Sequence, residues 1–330
     1  MVDKKIFNAP PALISCLASG FNTVATHLYL LLFPILLDLF LWLGPHFRVL
    51  NLVKPIIADI SQSAMEASTP EIMEMLRTSE QVWTITLERF NLISLARTFP
   101  IGIPSLLTFT APLDTPVGKA TVQELSSFPV LLFFWLGILV CGLFFGTLYF
   151  DFVAQTSGNI KRSQNLKALF KLFLHSVGLS IGFFVLILAI AIPVMLVITI
   201  LGLFSPNLAQ IVFMLILLVL LWIIIPLFFA PHGIFLFQQN AYTATLASIR
   251  TVRYTLPATS LFLLIFVVFN QGLNIIWSMA PGHSWMTLIG ITGHAFISTG
   301  LLSSSFILYL RLTEWTKSLQ KQQSISTAQV

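Results

Sequence analysis

Charged residues are scarce in this chain, at 9% of 330 residues, whereas hydrophobic residues make up 57%. Soluble domains carry about 25% charged residues, so the composition excludes an ordinary soluble protein. The apolar runs are ~20 residues long and do not alternate as the strands of a barrel do. Because hydrocarbon offers the backbone no hydrogen bonds, these runs must be helical. We therefore predict an all-α fold, a polytopic bundle of membrane helices in a single domain.

Motifs of catalysis and metal binding are also missing. The chain has two cysteines, Cys16 and Cys141, and neither belongs to a thiol or metal-binding motif. It contains no His-Glu-x-x-His and no glycine-rich loop with the lysine that cradles a phosphate. After Asp151 the one acid is Glu314, so the last four spans supply no carboxylate for acid–base chemistry. We expect no cofactor, no metal and no catalytic residues, and we do not expect an enzyme.

Six apolar runs are long enough to span a bilayer. The first contains Pro34 and an acid, Asp38, and the third is long enough to tilt or to bend at Pro193. Between the first two spans, residues 45–125 hold eight acids and six bases and form an external insertion. Apolar residues at helical spacing predict helices in this insertion near 47–64 and 70–96. The spans are predicted at about 27–44, 127–150, 173–203, 209–231, 257–279 and 286–310.

The distribution of basic residues predicts the orientation. Eleven bases lie on the side that holds both termini, and the short turns after spans three and five carry none. Because positively charged loops stay inside, we expect both termini in the cytoplasm and residues 45–125 outside. The expected setting is the plasma (inner) membrane of a bacterium, with the lipid bilayer and other membrane subunits as partners. The net charge of +5 follows from this placement, so no nucleic-acid partner is expected.

A weak internal repeat places an interfacial elbow helix before each of three outgoing spans. The elbows are predicted near 12–26, 158–172 and 238–256, and the last two are basic and amphipathic. Such helices anchor a protein on the inner leaflet, and a regulatory lipid site is the more specific alternative. The predicted inner-leaflet lipid contacts are Lys161, Arg162, Lys167, Lys171, Arg250 and Arg253.

Asp38 is an acid in a place where charge is expensive, since a carboxylate inside the bilayer costs roughly 2.5–3.5 kcal/mol. Counting about 1.5 Å per residue from the outer ends of the spans puts it at the depth of polar residues in spans five and six. We therefore predict an intramembrane polar cluster, which either locks the helices together by hydrogen bonds or forms a ligand or ion pocket. Its predicted members are Asp38, Asn270, Gln271, Asn274 and His294.

Two Gly-x-x-x-Gly motifs lie in spans two and three, Gly142 with Gly146 and Gly178 with Gly182. Small residues four apart let helices approach closely. Helix packing within the chain is favoured over dimerisation for both pairs.

A loop rich in proline, glycine and threonine, residues 98–118, precedes the second span. Its Phe99-Pro-Ile-Gly-Ile-Pro-Ser stretch has two prolines that flank a glycine, which indicates a rigid loop at the outer surface. We expect it to cap the helix bundle, with dipping into the bundle as the alternative.

Two stretches resemble known families. The run from His27 to Pro45, followed by Arg-Phe-Asn-Leu-Ile-Ser-Leu-Ala-Arg-Thr-Phe-Pro-Ile-Gly-Ile-Pro-Ser-Leu from Arg89, resembles an uncharacterised family of bacterial six-span proteins found in Chloroflexi. The run Ala-Ser-Ile-Arg-Thr-Val-Arg from Ala247 is similar to membrane domains attached to some glycerophosphodiesterases. Neither family has an assigned activity, so the resemblance implies a bacterial membrane setting and no chemistry.

Three classes of function remain open. We expect a non-catalytic membrane scaffold or accessory subunit; the alternative is a permease-like transporter with an outward-facing polar pocket around Asp38, and an intramembrane enzyme is third. A permease predicts a wet cavity that reaches Asp38. A scaffold predicts a filled bundle and an exposed apolar patch on the 70–96 helix or on a lipid-facing surface.

Overall fold

A computed structural model describes residues 10–65, 70–108, 112–162 and 165–327. Within these residues five helices are long and apolar enough to cross a membrane, and a bent pair of helices near the N-terminus makes up to six. The predicted all-α polytopic bundle is confirmed. Lys4 and Lys5, two of the eleven bases used for orientation, lie outside the described residues. The helices are α1 (Leu13–Thr26), α2 (Leu32–Leu43), α3 (Leu50–Met65), α4 (Pro70–Arg89), α5 (Phe128–Ser157), α6 (Leu166–Phe204), α7 (Pro206–Ile224), α8 (Ala230–Phe237), α9 (Ala241–Trp277) and α10 (Met286–Thr327).

The first span follows a sharp bend. α1 meets the helical stretch Leu28–Leu43, whose first turn is a 3₁₀ helix, at an angle of 91°. Cys16 and Gly20 are buried on one face of α1, and this face packs along α10. A Cβ on Gly20 would lie 2.1 Å from the Ser304 hydroxyl oxygen, so glycine is required for this approach. The predicted first elbow is therefore a separate helix, but it is packed into the bundle.

The second and third elbows differ in form. The Asn165 side chain accepts a hydrogen bond from the Lys167 amide at 3.2 Å and caps α6. No proline follows until Pro193, so α6 continues without a break and the second elbow is not separate from its span. α9 is kinked at Thr255, which has φ −125° and ψ 22°, two residues before Pro257. The third elbow is therefore the first part of α9, up to this kink.

The described residues between 46 and 125, apart from a segment treated below, form a small unit at one end of the bundle. We call it the outer unit after the position that the sequence predicts for it. α3 and α4 pack against each other as a helical hairpin. Val49, Leu87, Leu92 and Leu125 form a core beneath it. Four short strands, which hydropathy did not predict, close the unit: β1 (His46–Arg48) pairs in parallel with β4 (Val122–Glu124), and β2 (Asp114–Thr115) pairs antiparallel with β3 (Gly118–Lys119).

The main core lies where α1, α5, α8, α9 and α10 meet. There the ring of Phe150 contacts those of Phe235 and Phe306 at centroid distances of 5.5 and 6.0 Å. The hairpin of α6 and α7 is very different, since none of the most apolar 18-residue window of α6 is buried. The core thus lies to one side of this hairpin, which presents its apolar surface outward.

Candidate functional site

Residues 92–107, which we call the re-entrant segment, enter the helix bundle. A Cβ on Gly142 would lie 2.3 Å from the Ala96 carbonyl oxygen, and one on Gly146 would lie 3.0 Å from the Gly102 Cα. Counted from Phe128, these glycines lie about 21 and 27 Å along α5. The segment therefore dips into the bundle, as the alternative prediction had it, and does not cap it.

The composition of the segment suits this position. The 23 residues from Asn91 to Leu113 contain a single charged residue, Arg97. At the start of the segment the Asn91 side chain accepts hydrogen bonds from the amides of Ile93 and Phe47, both at 3.2 Å. The segment is thus apolar enough to be buried, and Asn91 ties its first turn to the outer unit.

Asp38 holds the far end of the re-entrant segment. Its carboxylate is fully buried and accepts hydrogen bonds from the Ser105 hydroxyl at 2.5 Å and from the amides of Leu106 and Leu107 at 2.9 and 3.2 Å. A buried carboxylate needs such donors, and these backbone amides have no strand or helix partner of their own. Asp38 is therefore a lock between the first span and the segment, and does not form the floor of a pocket.

The other members of the predicted polar cluster differ in burial: Asn270, Asn274 and His294 are at least partly buried, and Gln271 is exposed. Asn270 lines a cavity described below, and His294 is 4% exposed. Buried atoms of Asn274 (Oδ1) and His294 (Nε2) have no hydrogen-bond partner among the described residues. Gln271 is exposed, so its inclusion in the cluster is wrong; residues 270 and 271 point about 100° apart on a helix and do not share a face.

Arg97 connects the re-entrant segment with the predicted polar cluster. It lies close enough to Asp38 and to His294 to interact electrostatically with both. No carboxylate lies within 4.0 Å of its guanidinium in the described part of the chain. By sequence pattern alone, Arg97 is one of the six bases of residues 45–125 and nothing more. Its position as the one charge in a 23-residue apolar stretch was the signal that could have singled it out.

Arg97 faces a cavity of about 300 Å³ inside the bundle. The re-entrant segment forms one wall, and α5 to α10 form the others. Phe99 is 62% exposed and packs against Phe183 of α6 with ring centroids 5.5 Å apart, so the cavity opens beside these rings. The walls are mainly aromatic and aliphatic, and the polar residues that line it are Arg97, Thr98, His232, Asn270, Ser298 and Ser305.

A histidine–serine pair lies at the end of the cavity away from the outer unit. His232 Nε2 is 2.7 Å from the Ser305 hydroxyl, which itself donates to the Leu302 carbonyl at 2.6 Å. The hydroxyl must therefore accept from Nε2–H, which leaves His232 Nδ1 as an acceptor. Nδ1 is buried and meets the geometry of a hydrogen bond with no described residue, although the backbone of Phe228 lies close to the ring. Along α10 the cavity extends from Ser298 to Ser305, which is about 10 Å.

The two glycine motifs are used differently. Gly142 and Gly146 pack within the chain, but against the re-entrant segment and not against another span. Gly178 meets the Ala241 Cβ at 3.8 Å, and Gly182 has open space around it. The run Gly178-Leu-Ser-Ile-Gly182 also matches Gly-x-Ser-x-Gly, but a nucleophile elbow requires a strand-to-helix turn, and this run lies inside α6.

The predicted inner-leaflet contacts lie together at the end of the bundle away from the outer unit. We call this end of the bundle the basic face. Arg162 is an exception among them, because it pairs with Asp151 and donates to the Phe235 carbonyl at 2.7 Å. Its side chain is 11% exposed, so its assignment as a lipid contact is wrong. The exposed members are Lys161, Lys167, Lys171, Arg250 and Arg253.

In the described ranges no three His, Cys, Asp or Glu side chains lie close enough together to hold a metal ion. Searches of known protein families, curated proteins and solved structures find no match to this chain.

Proposed function

We propose that this chain is a non-enzymatic, permease-like membrane protein that binds a small amphipathic anion in the cavity beside Arg97. The observation that carries the proposal is a cation that has no ion-pair partner in the part of the chain that the structure describes and that faces a mainly apolar space at membrane depth. Compared with the expectation from the sequence, the pocket is centred on Arg97 and not on Asp38.

The electrostatic cost of Arg97 supports an anionic ligand. A guanidinium inside the bilayer costs a few kcal/mol, and Asp38 offsets only part of this because its oxygens are already hydrogen-bonded by the re-entrant segment. An anionic head group could form a bidentate pair with Arg97, which is the strong geometry for carboxylates and phosphates.

The walls of the cavity support a ligand with an apolar part. Phe150, Phe228 and Phe266 line the space, and ligand sites are commonly apolar with a few polar groups that fix orientation. Asn270 and His232 Nδ1 are such groups, and both are suited to a hydroxyl or an amide on the ligand. A hydrophilic inorganic ion would make no favourable contact with these apolar walls.

The proposed setting is the plasma membrane of a bacterium, with both termini in the cytoplasm and the outer unit on the other side. Exposed Lys161, Lys167 and Lys171 on the basic face support this orientation through the positive-inside rule. At the opposite end Trp285 is 60% exposed, as expected for an aromatic belt, and packs edge to face at 5.8 Å on the buried Trp42.

A scaffold or accessory subunit is the second candidate, and the hairpin of α6 and α7 favours it. These helices pack on each other, and in their most apolar windows 0% and 6% of residues are buried. Such a surface fits either lipid or another membrane subunit. Purification in a mild detergent followed by mass determination separates the cases, since an accessory subunit would keep its partner.

The direct test uses short amphiphiles on protein purified in an uncharged detergent. Decyl phosphate and decanoate should raise the thermal unfolding temperature, and decanol should raise it much less. Arg97→Gln should weaken the binding of decyl phosphate at least ~10-fold, because a charge-assisted bidentate pair contributes about 1.5–3 kcal/mol.

Arg89→Gln is the matched control. Arg89 is exposed at the end of α4, and this substitution removes the same charge as Arg97→Gln. It should leave binding unchanged. Equal stabilisation by decanol, or full binding of decyl phosphate by Arg97→Gln, would rule out the proposed anion site.

A further inference from the structure

A second pocket lies on the basic face, between α9 and the last turns of α10, and we call it the basic-face pocket. Its volume is about 270 Å³. It is separate from the cavity at Arg97, because the two share no lining residue. The residues that define it are Phe237, Gln239, Arg250, Tyr254, Tyr309 and Lys317.

Two cations face the basic-face pocket, and no acid among the described residues lines it. Arg250 comes from α9 and Lys317 from α10. Lys317 Nζ lies 5.6 Å from the centroid of the Phe237 ring, so a cation–π contact holds it at the rim. Glu314 is on α10 as well, but it is exposed and is absent from the lining. The pocket is therefore suited to an anion.

Unpartnered buried atoms give a second and independent indication of a ligand. Tyr309 is fully buried, and its hydroxyl lies within reach of Thr251 and Thr313 but meets the geometry of a hydrogen bond with no described residue. Gln239 Oε1 is also buried and has no partner among the described residues. Buried polar atoms are normally satisfied, so these two suggest a missing partner. That partner would accept from the tyrosine and donate to the glutamine oxygen.

The surface beside the pocket is apolar. Tyr242, Leu246 and Ile249 form a stripe along the first part of α9, with exposures of 72%, 42% and 39%. Arg250 follows directly on this helix, and Tyr254 is 57% exposed at the edge of the pocket. A ligand with its head group in the pocket would place its hydrocarbon chains on this stripe.

We propose that the basic-face pocket binds the phosphate head group of an anionic phospholipid. Arg250 and Lys317 neutralise the phosphate, the Tyr309 hydroxyl donates to it, and Gln239 Oε1 accepts from a hydroxyl of the head group. The apolar stripe on α9 distinguishes a lipid from a soluble phosphate compound. This proposal does not depend on the anion site at Arg97.

Native mass spectrometry of delipidated protein in detergent tests the proposal. Dioleoyl phosphatidylglycerol is titrated, with dioleoyl phosphatidylcholine and inorganic phosphate as separate arms. We expect phosphatidylglycerol to fill one tight site, phosphatidylcholine to bind at least ~10-fold more weakly, and inorganic phosphate not to compete at millimolar concentration. The double variant Arg250→Gln/Lys317→Gln should weaken the tight site at least ~10-fold.

The matched control is Lys167→Gln/Lys171→Gln, which removes two exposed charges from the same face outside the pocket. It should leave the tight site unchanged, whereas Tyr309→Phe, which keeps the ring and removes the donor, should weaken it several-fold. An equal loss of affinity in the control variant would show that the effect comes from general surface charge, and it would overturn the proposal. Competition by inorganic phosphate would replace the lipid with a soluble ligand, and equal binding of phosphatidylcholine would also overturn it.

Discussion

On α5, Gly142 and Gly146 lie against the backbone of the re-entrant segment, whereas on α6 Gly178 and Gly182 have almost nothing next to them. The two pairs have the same spacing and lie in helices of similar apolar character. A pair of glycines therefore permits close approach without specifying what approaches. What fills the space beside α5 is a short 3₁₀ helix, Leu92–Ala96, and an irregular stretch whose free amides need partners.

Both helices also border the cavity at Arg97. The side of the bundle at Gly142 is tightly packed, because the re-entrant segment fills the space between α5 and α10. The side at Gly182 is loose: Gly182 is exposed and has no described atom within 4 Å of its Cβ position, whereas Phe183, which points about 100° away on α6, lines the cavity. The tight side, at Gly142, is thus packed against the re-entrant segment, and the loose side, at Gly182, faces away from the described part of the chain.

Gly142→Ala should produce the largest effect. Its new methyl group would lie 2.3 Å from the Ala96 carbonyl oxygen, so the re-entrant segment must shift or leave. Overpacking of this kind costs about 3 kcal/mol where backbone has to move. Thermal unfolding in detergent should show a large fall in the transition temperature.

Gly182→Ala is the matched control for that substitution, since its methyl group would meet nothing within 4 Å. It should be neutral or stabilising by up to ~1 kcal/mol, because alanine favours a helix over glycine. If both substitutions had the same effect on unfolding, the distinction between the tight and loose sides would be lost.

Asp38→Asn should have the second-largest effect and should act on the same tight side. Asparagine offers one acceptor oxygen and an amino group, so at least one of the three donors at Ser105, Leu106 and Leu107 is left without a partner. We expect a loss of about 2 kcal/mol, since hydrogen bonds to charged groups are among the stronger ones.

Asp59→Asn serves as its control, because Asp59 is exposed on α3. Its effect on unfolding should stay below ~0.5 kcal/mol. Hydrogen exchange adds a local measurement: Asp38→Asn should raise exchange across residues 105–107 and leave α6 unchanged. Uniform changes in both regions would contradict the role of Asp38 as a lock.

Much of this fold follows from hydropathy, because the bilayer forces long apolar runs into helices. The spans of α5 to α10 and the bend before the first span agree with that argument. The cost of a buried carboxylate likewise singled out Asp38, which is indeed fully buried. What the argument could not supply was its partners: two of the three donors are backbone amides, which every residue except proline has.

The re-entrant segment was harder to predict for a related reason. Its contact between Ala96 and Gly142 joins residues far apart in sequence, and neither residue type specifies the other. Proline and glycine in the segment indicate a loop, and loops are expected at the surface. The near absence of charge from Asn91 to Leu113 was the contrary signal, and it gives Arg97 its significance.

The smallest expected effect is a pH dependence at the outer end of the tight side. His46 is 1% exposed in β1, its Nε2 lies 3.2 Å from the Leu41 carbonyl, and the next residue, Phe47, donates to Asn91 at the start of the re-entrant segment. Burial, with a smaller contribution from Arg48, lowers the pKa of His46 below its ordinary value of 6.5. Below about pH 6.5 the unfolded chain therefore binds a proton that the folded chain resists, so stability is complete above that pH and falls as the pH drops.

Hydrogen exchange corrected for intrinsic rates should show residues 92–107 less protected at pH 5.5 than at 7.5, with residues 178–200 unchanged. His46→Gln should flatten this difference, and a pH response that persists in His46→Gln would assign the effect to another group.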